Sequence, residues 1–188
     1  MEEFVESINS IYPLSSKLKE CLSLMLKEKS YQKKDFLLKE KQVCRNIWYI
    51  KKGYVRCFYR RNSTEVSSWF MREGDLIISV DSYFTQKASR ESIQALEDCV
   101  TYSIEYDQLQ YLYKTFPEFN YVGRVLTEKY YALSEERLHF MRMQRSDEKY
   151  LSLLQNHQDL IQRVPAKYLA SYIGVTEETL SRIRGKRY

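Results

Sequence analysis

Apolar residues in the first 30 positions recur at the period of a helix on either side of Pro13. Proline breaks a helix because it has no amide hydrogen and its ring clashes with the preceding turn. We therefore predict two short helices in this segment. Their apolar faces are formed by Phe4, Val5, Ile8 and Ile11 and by Leu18, Leu22, Met25 and Leu26.

From residue 31 to about residue 104 the pattern changes to short runs rich in Val, Ile, Tyr, Phe and Trp, which are typical of strands. Turns are expected at Gly53 and Gly74. Closely spaced strands without a long helix between them favour an antiparallel sandwich or barrel. The N-terminal domain is therefore predicted to be mainly β.

Beyond Ile104 two helices are predicted, the first from Tyr106 to Thr115 and a longer one from Phe119 to about Met143. The long helix carries a stripe whose members alternate steps of three and four, which is coiled-coil spacing. This stripe can pack on its own β-domain or pair with a second copy of the chain, and Arg137 argues against a purely apolar seam. The stripe consists of Phe119, Val122, Leu126, Tyr130, Leu133, Arg137 and Phe140.

The segment from residue 144 onwards predicts three further helices. The first begins at Ser146, which is expected to be its N-cap. The second begins at Pro165, a residue favoured at the first helical position, and ends at Gly174. Thr176 can cap the third helix, which runs over residues 177–184. Two helices joined by a short glycine-containing turn are the signature of a helix-turn-helix.

Side chains near the start of such a third helix reach base edges in the major groove. Arg182 can donate to guanine O6 and N7, glutamate can accept from cytosine N4, and the basic residues at the end suit phosphates. The competing interpretation is a small helical bundle whose charged face is only solvated. The predicted DNA-contacting residues are Lys167, Thr176, Glu177, Glu178, Thr179, Ser181, Arg182, Arg184, Lys186 and Arg187.

The composition is that of an ordinary globular protein, with 188 residues of which 44% are hydrophobic and 29% charged. Thirty Lys and Arg against 25 Asp and Glu leave a net charge of +5, which permits an anionic partner without requiring one. The N-terminus is acidic and no apolar run approaches a membrane span. We therefore expect a cytoplasmic protein that has no membrane partner.

Metal and catalytic signals are weak. The two histidines, His139 and His157, both fall in the helical part, which disfavours a metal-dependent enzyme. No nucleophile elbow, Walker loop or dinucleotide-binding turn appears. We therefore predict no catalytic residues, no metal and no cofactor. The cysteines are too far apart for a zinc or cluster site and are expected to be buried free thiols; they are Cys21, Cys44, Cys57 and Cys99.

The segment PAKYLASYIGVTEETLSRIR, with the predicted order of elements, resembles the cyclic-AMP receptor and fumarate-nitrate regulator (Crp/Fnr) superfamily over essentially the whole chain. The family's recognition helix is similar to S/T-x-E-T-[VL]-[GS]-R, which Thr176 to Arg182 match. The resemblance implies an α+β fold with an N-terminal cyclic-nucleotide-binding-like β-roll (a double-stranded β-helix), a long dimerisation helix and a C-terminal helix-turn-helix. The last part would be a truncated winged helix, because few residues follow the recognition helix.

The resemblance implies domains at residues 1–117, 118–143 and 144–188, with Glu178 and Arg182 reading bases. It implies a homodimer and a palindromic operator in double-stranded DNA. RNA polymerase and an unknown small-molecule effector are further candidate partners. The predicted dimer contacts are Val122, Leu126, Tyr130, Leu133 and Phe140.

The predicted ligand pocket departs from the family. Cyclic-nucleotide binders have a cassette similar to G-E-L, a gap and R-[ST]-A, in which Glu holds the ribose and Arg holds the phosphate. Here Ser79 falls at the Glu position, Arg90 keeps the Arg, and Glu91 stands where Ser or Thr should be. The predicted pocket residues are Ser79, Arg90, Glu91 and Ser92. A carboxylate beside a phosphate costs about 1 kcal/mol in water and several at lower dielectric. We therefore expect an effector other than cyclic AMP, and expect Arg90 to hold another anion or to pair with Glu91 or Asp98.

The predicted function is a Crp/Fnr-type regulator whose β-roll senses a signal and repositions the recognition helices through a hinge around residues 141–146. The spacing of the two recognition helices in the dimer would then either match or not match two half-sites about 34 Å apart. The alternative is a degenerate nucleotide-binding domain that acts as an adaptor through protein–protein contacts without DNA. The basic end RIRGKRY argues for DNA, because an adaptor has no need to neutralise phosphates.

Overall fold

The computed structural model describes residues 2–143 and 145–185 of the chain. Two helices, α1 (Glu2–Ile11) and α2 (Ser16–Met25), precede the sheets, as the apolar pattern predicts. Ser15 is the N-cap of α2, because its hydroxyl accepts the Leu18 N–H at 3.3 Å. The apolar faces of both helices are buried against the strands that follow.

The strands of the described chain form two antiparallel sheets, with orders β1-β8-β3-β6 and β2-β7-β4-β5. The predicted antiparallel β-domain is therefore confirmed. The strands are β1 (Lys27–Tyr31), β2 (Phe36–Leu38), β3 (Asn46–Lys52), β4 (Val55–Arg61), β5 (Thr64–Met71), β6 (Leu76–Ile77), β7 (Glu91–Ala95) and β8 (Cys99–Glu105). A short helix, α3 (Val80–Thr85), lies between β6 and β7 and was not predicted.

The predicted turn at Gly53 joins β3 to β4 and requires glycine. Its φ of +103° is in the left-handed region, and an added Cβ would lie 2.5 Å from Cys99 Sγ. The Gly53 N–H donates to Glu73 Oε1 at 2.7 Å, which ties this turn to the end of β5. Gly74, with a φ of +87°, turns the chain between β5 and β6.

The helices that follow the sheets are α4 (Tyr106–Thr115), α5 (Pro117–Met143), α6 (Ser146–Asn156), α7 (Gln158–Arg163), α8 (Ala166–Ile173) and α9 (Glu177–Gly185). Two sequence predictions of helix starts are wrong. Arg145, rather than Ser146, is the N-cap of α6, and its N–H donates to Glu148 Oε2 at 2.9 Å. Pro165 is the N-cap of α8 and lies just outside the helix.

The described residues contain two hydrophobic cores. The first lies between the sheets and is closed by α1, α2, α4 and the start of α5. The second joins the C-terminal helices to the β-domain, because Tyr54, Phe70 and Leu96 pack there with apolar residues of α6 to α9. The C-terminal unit therefore shares a core with the sheets.

The cysteines are free thiols, and three of them, Cys44, Cys57 and Cys99, are buried as predicted, whereas Cys21 is half-buried. Burial raises the pKa of Cys99 to about 11. No helix of the described residues is both long and apolar enough to cross a bilayer.

Candidate functional site

The turn between α8 and α9 is formed by Gly174 and Thr176. Gly174 has a φ of +87°, and its N–H donates to the Ala170 carbonyl at 2.9 Å, which closes α8. The Thr176 hydroxyl accepts the Thr179 N–H at 3.2 Å and so caps α9. Both caps were predicted from the sequence and both are confirmed.

The same two helices share a small apolar core. Leu169, Ala170 and Ile173 of α8 are buried with Leu180 and Ile183 of α9. The short side chain of Ala170 leaves room for close packing of these helices. The core fixes which side chains of α9 face outward.

The predicted DNA-contacting residues within the described chain are accessible. Thr179 is half-buried, and the others are exposed, namely Lys167, Thr176, Glu177, Glu178, Ser181, Arg182 and Arg184. Lys186 and Arg187 lie outside the described residues. The acidic residues stand in the first turn of α9 and the basic ones in its last turn, so both signs also complement the helix dipole.

The helix α8 packs on β5, a strand at the edge of its sheet. The Ser67 N–H donates to Ser171 Oγ at 3.2 Å, and the two hydroxyl oxygens are 3.0 Å apart. The rings of Phe70 and Tyr172 meet edge to face with centroids 5.0 Å apart. The helix therefore covers an edge-strand amide that needs a partner.

Arg137 of α5 joins the long helix to this contact. Its Nε donates to the Ser68 carbonyl and its Nη2 to the Tyr172 carbonyl, each at 3.2 Å. The guanidinium lies 3.5 Å from the centroid of the Tyr172 ring. Burial lowers the pKa of Arg137, because the charged form is partly desolvated. The residue that interrupts the predicted apolar stripe thus connects α5, β5 and α8.

Arg163 of α7 forms a second connection, to two turns of the β-domain. Its Nη1 and Nη2 donate to the two carboxylate oxygens of Glu73, both at 2.8 Å. It also donates to both carboxylate oxygens of Glu97. The hydrogen bonds from Arg163 lower the pKa of Glu73 to about 2. A neighbouring pair, Arg72 with Asp159 at 2.9 Å, adds a charge contact between the same units.

Arg56 of β4 is 1% exposed and lies between two aromatic rings. Its guanidinium carbon is 3.9 Å from the Phe58 centroid and 3.6 Å from that of Tyr168 on α8. The charge is paired with Glu65 at 2.5 Å and hydrogen-bonded to Gln94. A third side chain of the β-domain therefore contacts α8.

The predicted pocket residues are engaged within the protein. Ser79 Oγ is buried 2.9 Å from Ser89 Oγ, and Ser92 Oγ accepts the Glu40 N–H at 2.9 Å. Arg90 forms an ion pair, but its partner is Asp81 at 2.9 Å rather than Glu91 or Asp98. The cause is the unpredicted helix α3, which carries Asp81 beside Arg90.

A cavity of about 1160 Å³ lies between the sheets and α5. Its wall includes Ser79, Arg90 and Glu91, so the structure brings three of the four predicted pocket residues to one cavity. Ser92 does not line it. The inner face of β5 contributes Trp69 and Met71 to the same wall.

The stripe of α5 divides between the two cores of its own chain. Val122 is 0% exposed in the first core, and Leu126 and Tyr130 pack against that core. Phe140 packs against the second core. The prediction that Val122 is a dimer contact is therefore wrong, because its own chain covers the side chain completely. Leu133 is half-buried and keeps accessible surface.

The β-domain matches a known family. Residues 28–116 match the family model described as the cyclic nucleotide-binding domain, a range that runs from within β1 to just beyond α4. The search of curated proteins returned no match for the chain.

Solved structures share the architecture over most of the chain. The c-di-GMP responsive global regulator CLP of Xanthomonas campestris is 14% identical, with 90% of this chain and 89% of that chain covered and a TM-score of 0.72. FixK2 from Bradyrhizobium japonicum is 17% identical, with 85% and 82% covered and a TM-score of 0.69. A putative transcriptional regulator of the Crp/Fnr family from Eubacterium rectale is 15% identical, with 93% and 85% covered and a TM-score of 0.68. Residues 28–116 are therefore similar to the cyclic nucleotide-binding domain, and the chain has a Crp/Fnr-like fold, as predicted.

Sequence reasoning missed Arg56 and Arg163 as residues of the contact between the β-roll and the C-terminal helices. Their partners are distant in the chain, since Arg163 is 90 positions from Glu73. Only Arg137 gave a signal, as a charge within an apolar stripe.

Proposed function

We propose that the protein is a DNA-binding transcriptional regulator of the Crp/Fnr type that acts as a cytoplasmic homodimer. The observation that carries this proposal is α9, a helix capped by Thr176 whose buried side packs on α8 and whose other side exposes Glu178, Ser181 and Arg182. These side chains suit the hydrogen-bonding edges of bases in the major groove. Double-stranded DNA with a palindromic operator is the expected partner.

The dimer is proposed to form along the second half of α5. The apolar stripe in the first half of this helix packs into the first core of its own chain, whereas Leu133 keeps accessible surface. Tyr131 is 67% exposed and Leu138 is 39% exposed, and both lie on another side of the same part of the helix. Apolar surface of this kind favours pairing with a second copy. Two α9 helices would then meet two half-sites about 34 Å apart.

A signal in the β-roll would reposition α9 through the segment around residues 141–146. The contacts of Ser67 with Ser171 and of Phe70 with Tyr172 support a second route, in which the β-roll orients α8 directly. RNA polymerase remains a candidate partner of the DNA-bound dimer.

The test begins with selection of an operator from random duplex DNA by the full-length protein. Arg182→Ala should then weaken operator binding by about 1 to 3 kcal/mol per half-site, while binding to random duplex changes little. Arg61→Ala is the matched control, since Arg61 is an exposed arginine at the end of β4, outside α9 and outside the segment proposed to reposition it. The melting temperature should stay unchanged in both variants, because no core atom is removed.

If wild type and Arg182→Ala bound the operator with equal affinity, Arg182 would not be a base-contacting residue. DNA affinity that is absent, or that does not fall with salt, would favour the adaptor alternative, because phosphate contacts always make binding salt-dependent.

A further inference from the structure

We infer that the cavity between the β-roll and α5 binds an uncharged, largely apolar small molecule, in place of a cyclic nucleotide or another anion. The inference rests on the proposed function only in assigning this molecule the role of effector. The binding itself follows from the size, lining and charge of the cavity.

The size and lining suit an apolar molecule. A volume of about 1160 Å³ is at the upper end of the range of small-molecule sites. Aromatic and aliphatic side chains dominate the wall, among them Trp69, Met71, Leu126 and Tyr130. Phe84 also lines the cavity and is 62% exposed, which marks an apolar rim. Burying apolar ligand surface here would contribute about 25 cal/mol for each Å².

The groups that would hold a phosphate are committed elsewhere. Arg90 has a side chain that is 85% exposed and paired with Asp81, so its charge is directed to solvent and already neutralised. The Ser79 hydroxyl is occupied by Ser89. A cyclic nucleotide would lose the hydration of its phosphate, while Arg90 is paired with Asp81 and the other wall arginine, Arg60, lies 3.9 Å from Glu65.

The charged side chains of the wall also disfavour anions. Three carboxylates, Glu40, Asp81 and Glu91, line the cavity against two guanidiniums, Arg60 and Arg90. The excess of negative charge repels an anionic ligand more strongly as water is excluded. An uncharged molecule avoids this repulsion. The cavity should therefore bind it more tightly than a fatty acid anion of similar apolar surface.

The protein carries its own reporter for the experiment. It has two tryptophans, so Trp48→Phe leaves Trp69, on the cavity wall, as the only indole. This variant of the full chain is titrated with N-phenyl-1-naphthylamine, an uncharged apolar dye that accepts tryptophan emission. Laurate and cyclic AMP are titrated in parallel. We expect saturable energy transfer from Trp69 to the dye, and a dissociation constant for the dye at least about tenfold below those of laurate and cyclic AMP.

A charge variant tests the second half of the inference. Asp81→Asn removes one wall carboxylate and releases Arg90, so laurate affinity should rise about tenfold while dye affinity stays the same. Asp107→Asn is the control, because Asp107 is an exposed acid on α4 that does not line the cavity. Both changes are at exposed positions, which keeps the folded structure intact.

Two results would overturn the inference. One is the absence of energy transfer in a protein that still unfolds cooperatively. The other is cyclic AMP or laurate that binds the unmodified chain more tightly than the dye and displaces it. Operator binding is measured separately, so loss of this inference leaves the proposed DNA-binding function standing, and the reverse also holds.

Discussion

Replacing Arg163 with methionine removes its ion pairs between α7 and the β-roll, leaves the Arg72–Asp159 pair in place and keeps an unbranched side chain of similar length. Arg163 donates two hydrogen bonds of 2.8 Å to Glu73 and others to Glu97. The variant leaves these two carboxylates unpaired and close to one another. We therefore expect the C-terminal helices to be held less firmly on the roll.

The magnitude follows from the exposure of the three side chains. Hydrogen bonds to charged groups contribute about 1.5 to 3 kcal/mol when buried, and exposed ion pairs about 0 to 1 kcal/mol. Arg163 is 28% exposed, and its partners are 39% and 38% exposed, so solvent screens the network in part. We expect Arg163→Met to lower the free energy of unfolding by about 2 kcal/mol, within that range.

Urea unfolding with two probes measures the effect. Tryptophan fluorescence reports the roll, because Trp48 and Trp69 both lie in its strands, and far-UV circular dichroism reports mainly helices. The two transitions should coincide in the wild type and separate in Arg163→Met, with the helical signal lost at lower urea. Arg142→Met, an exposed arginine on α5, is the matched control. The reasoning is refuted if both variants unfold alike, or if a double-mutant cycle with Glu73→Gln gives a coupling below about 0.5 kcal/mol.

Four further predictions concern stability and assembly. Gly53→Ala should destabilise the roll by more than about 3 kcal/mol in urea unfolding, because the new Cβ would lie 2.5 Å from Cys99 Sγ at a left-handed φ. Leu169→Ala, at a fully buried position, should cost about 2 to 5 kcal/mol in the same assay and loosen the helix-turn-helix. Leu133→Asp should shift the protein from dimer to monomer in light scattering, and an unchanged dimer would exclude this part of α5 from the interface. Because the pKa of Glu73 is lowered to about 2, its stabilisation is complete above about pH 4.5 and is lost as pH falls toward 2; Glu73→Gln should remove this acid sensitivity from the urea midpoint.

The two helices α8 and α9 and the turn between them were predictable because their signals are local. Gly174 and Thr176 act on backbone groups within a few residues, and the apolar positions of α8 and α9 repeat at the helical period. The β-roll was predictable as a class for the same reason, since each strand has its own pattern. The match of residues 28–116 to the cyclic nucleotide-binding domain agrees with that prediction.

The elements that were missed lack a local pattern. Strand β1 has the sequence KEKSY and buries only Tyr31, so nothing in it alternates like a half-buried strand. Helix α3 spans 6 residues, too few for a helical period to show. Because α3 carries Asp81, the partner of Arg90, missing this short helix also made the predicted ion pair of Arg90 wrong.

Strand β5 separates the cavity from the C-terminal helices by the thickness of a single strand. Trp69 and Met71 project to the cavity, whereas Ser67 and Phe70 meet α8 on the other side. The pairing of β4 with β5 shifts register between Cys57 and Phe58, so the hydrogen-bond ladder that supports β5 is irregular at this point. A molecule that displaces Trp69 therefore pushes on the same backbone that supports α8. We therefore expect occupancy of the cavity to change the orientation of α8, and with it that of α9, across the width of a single sheet.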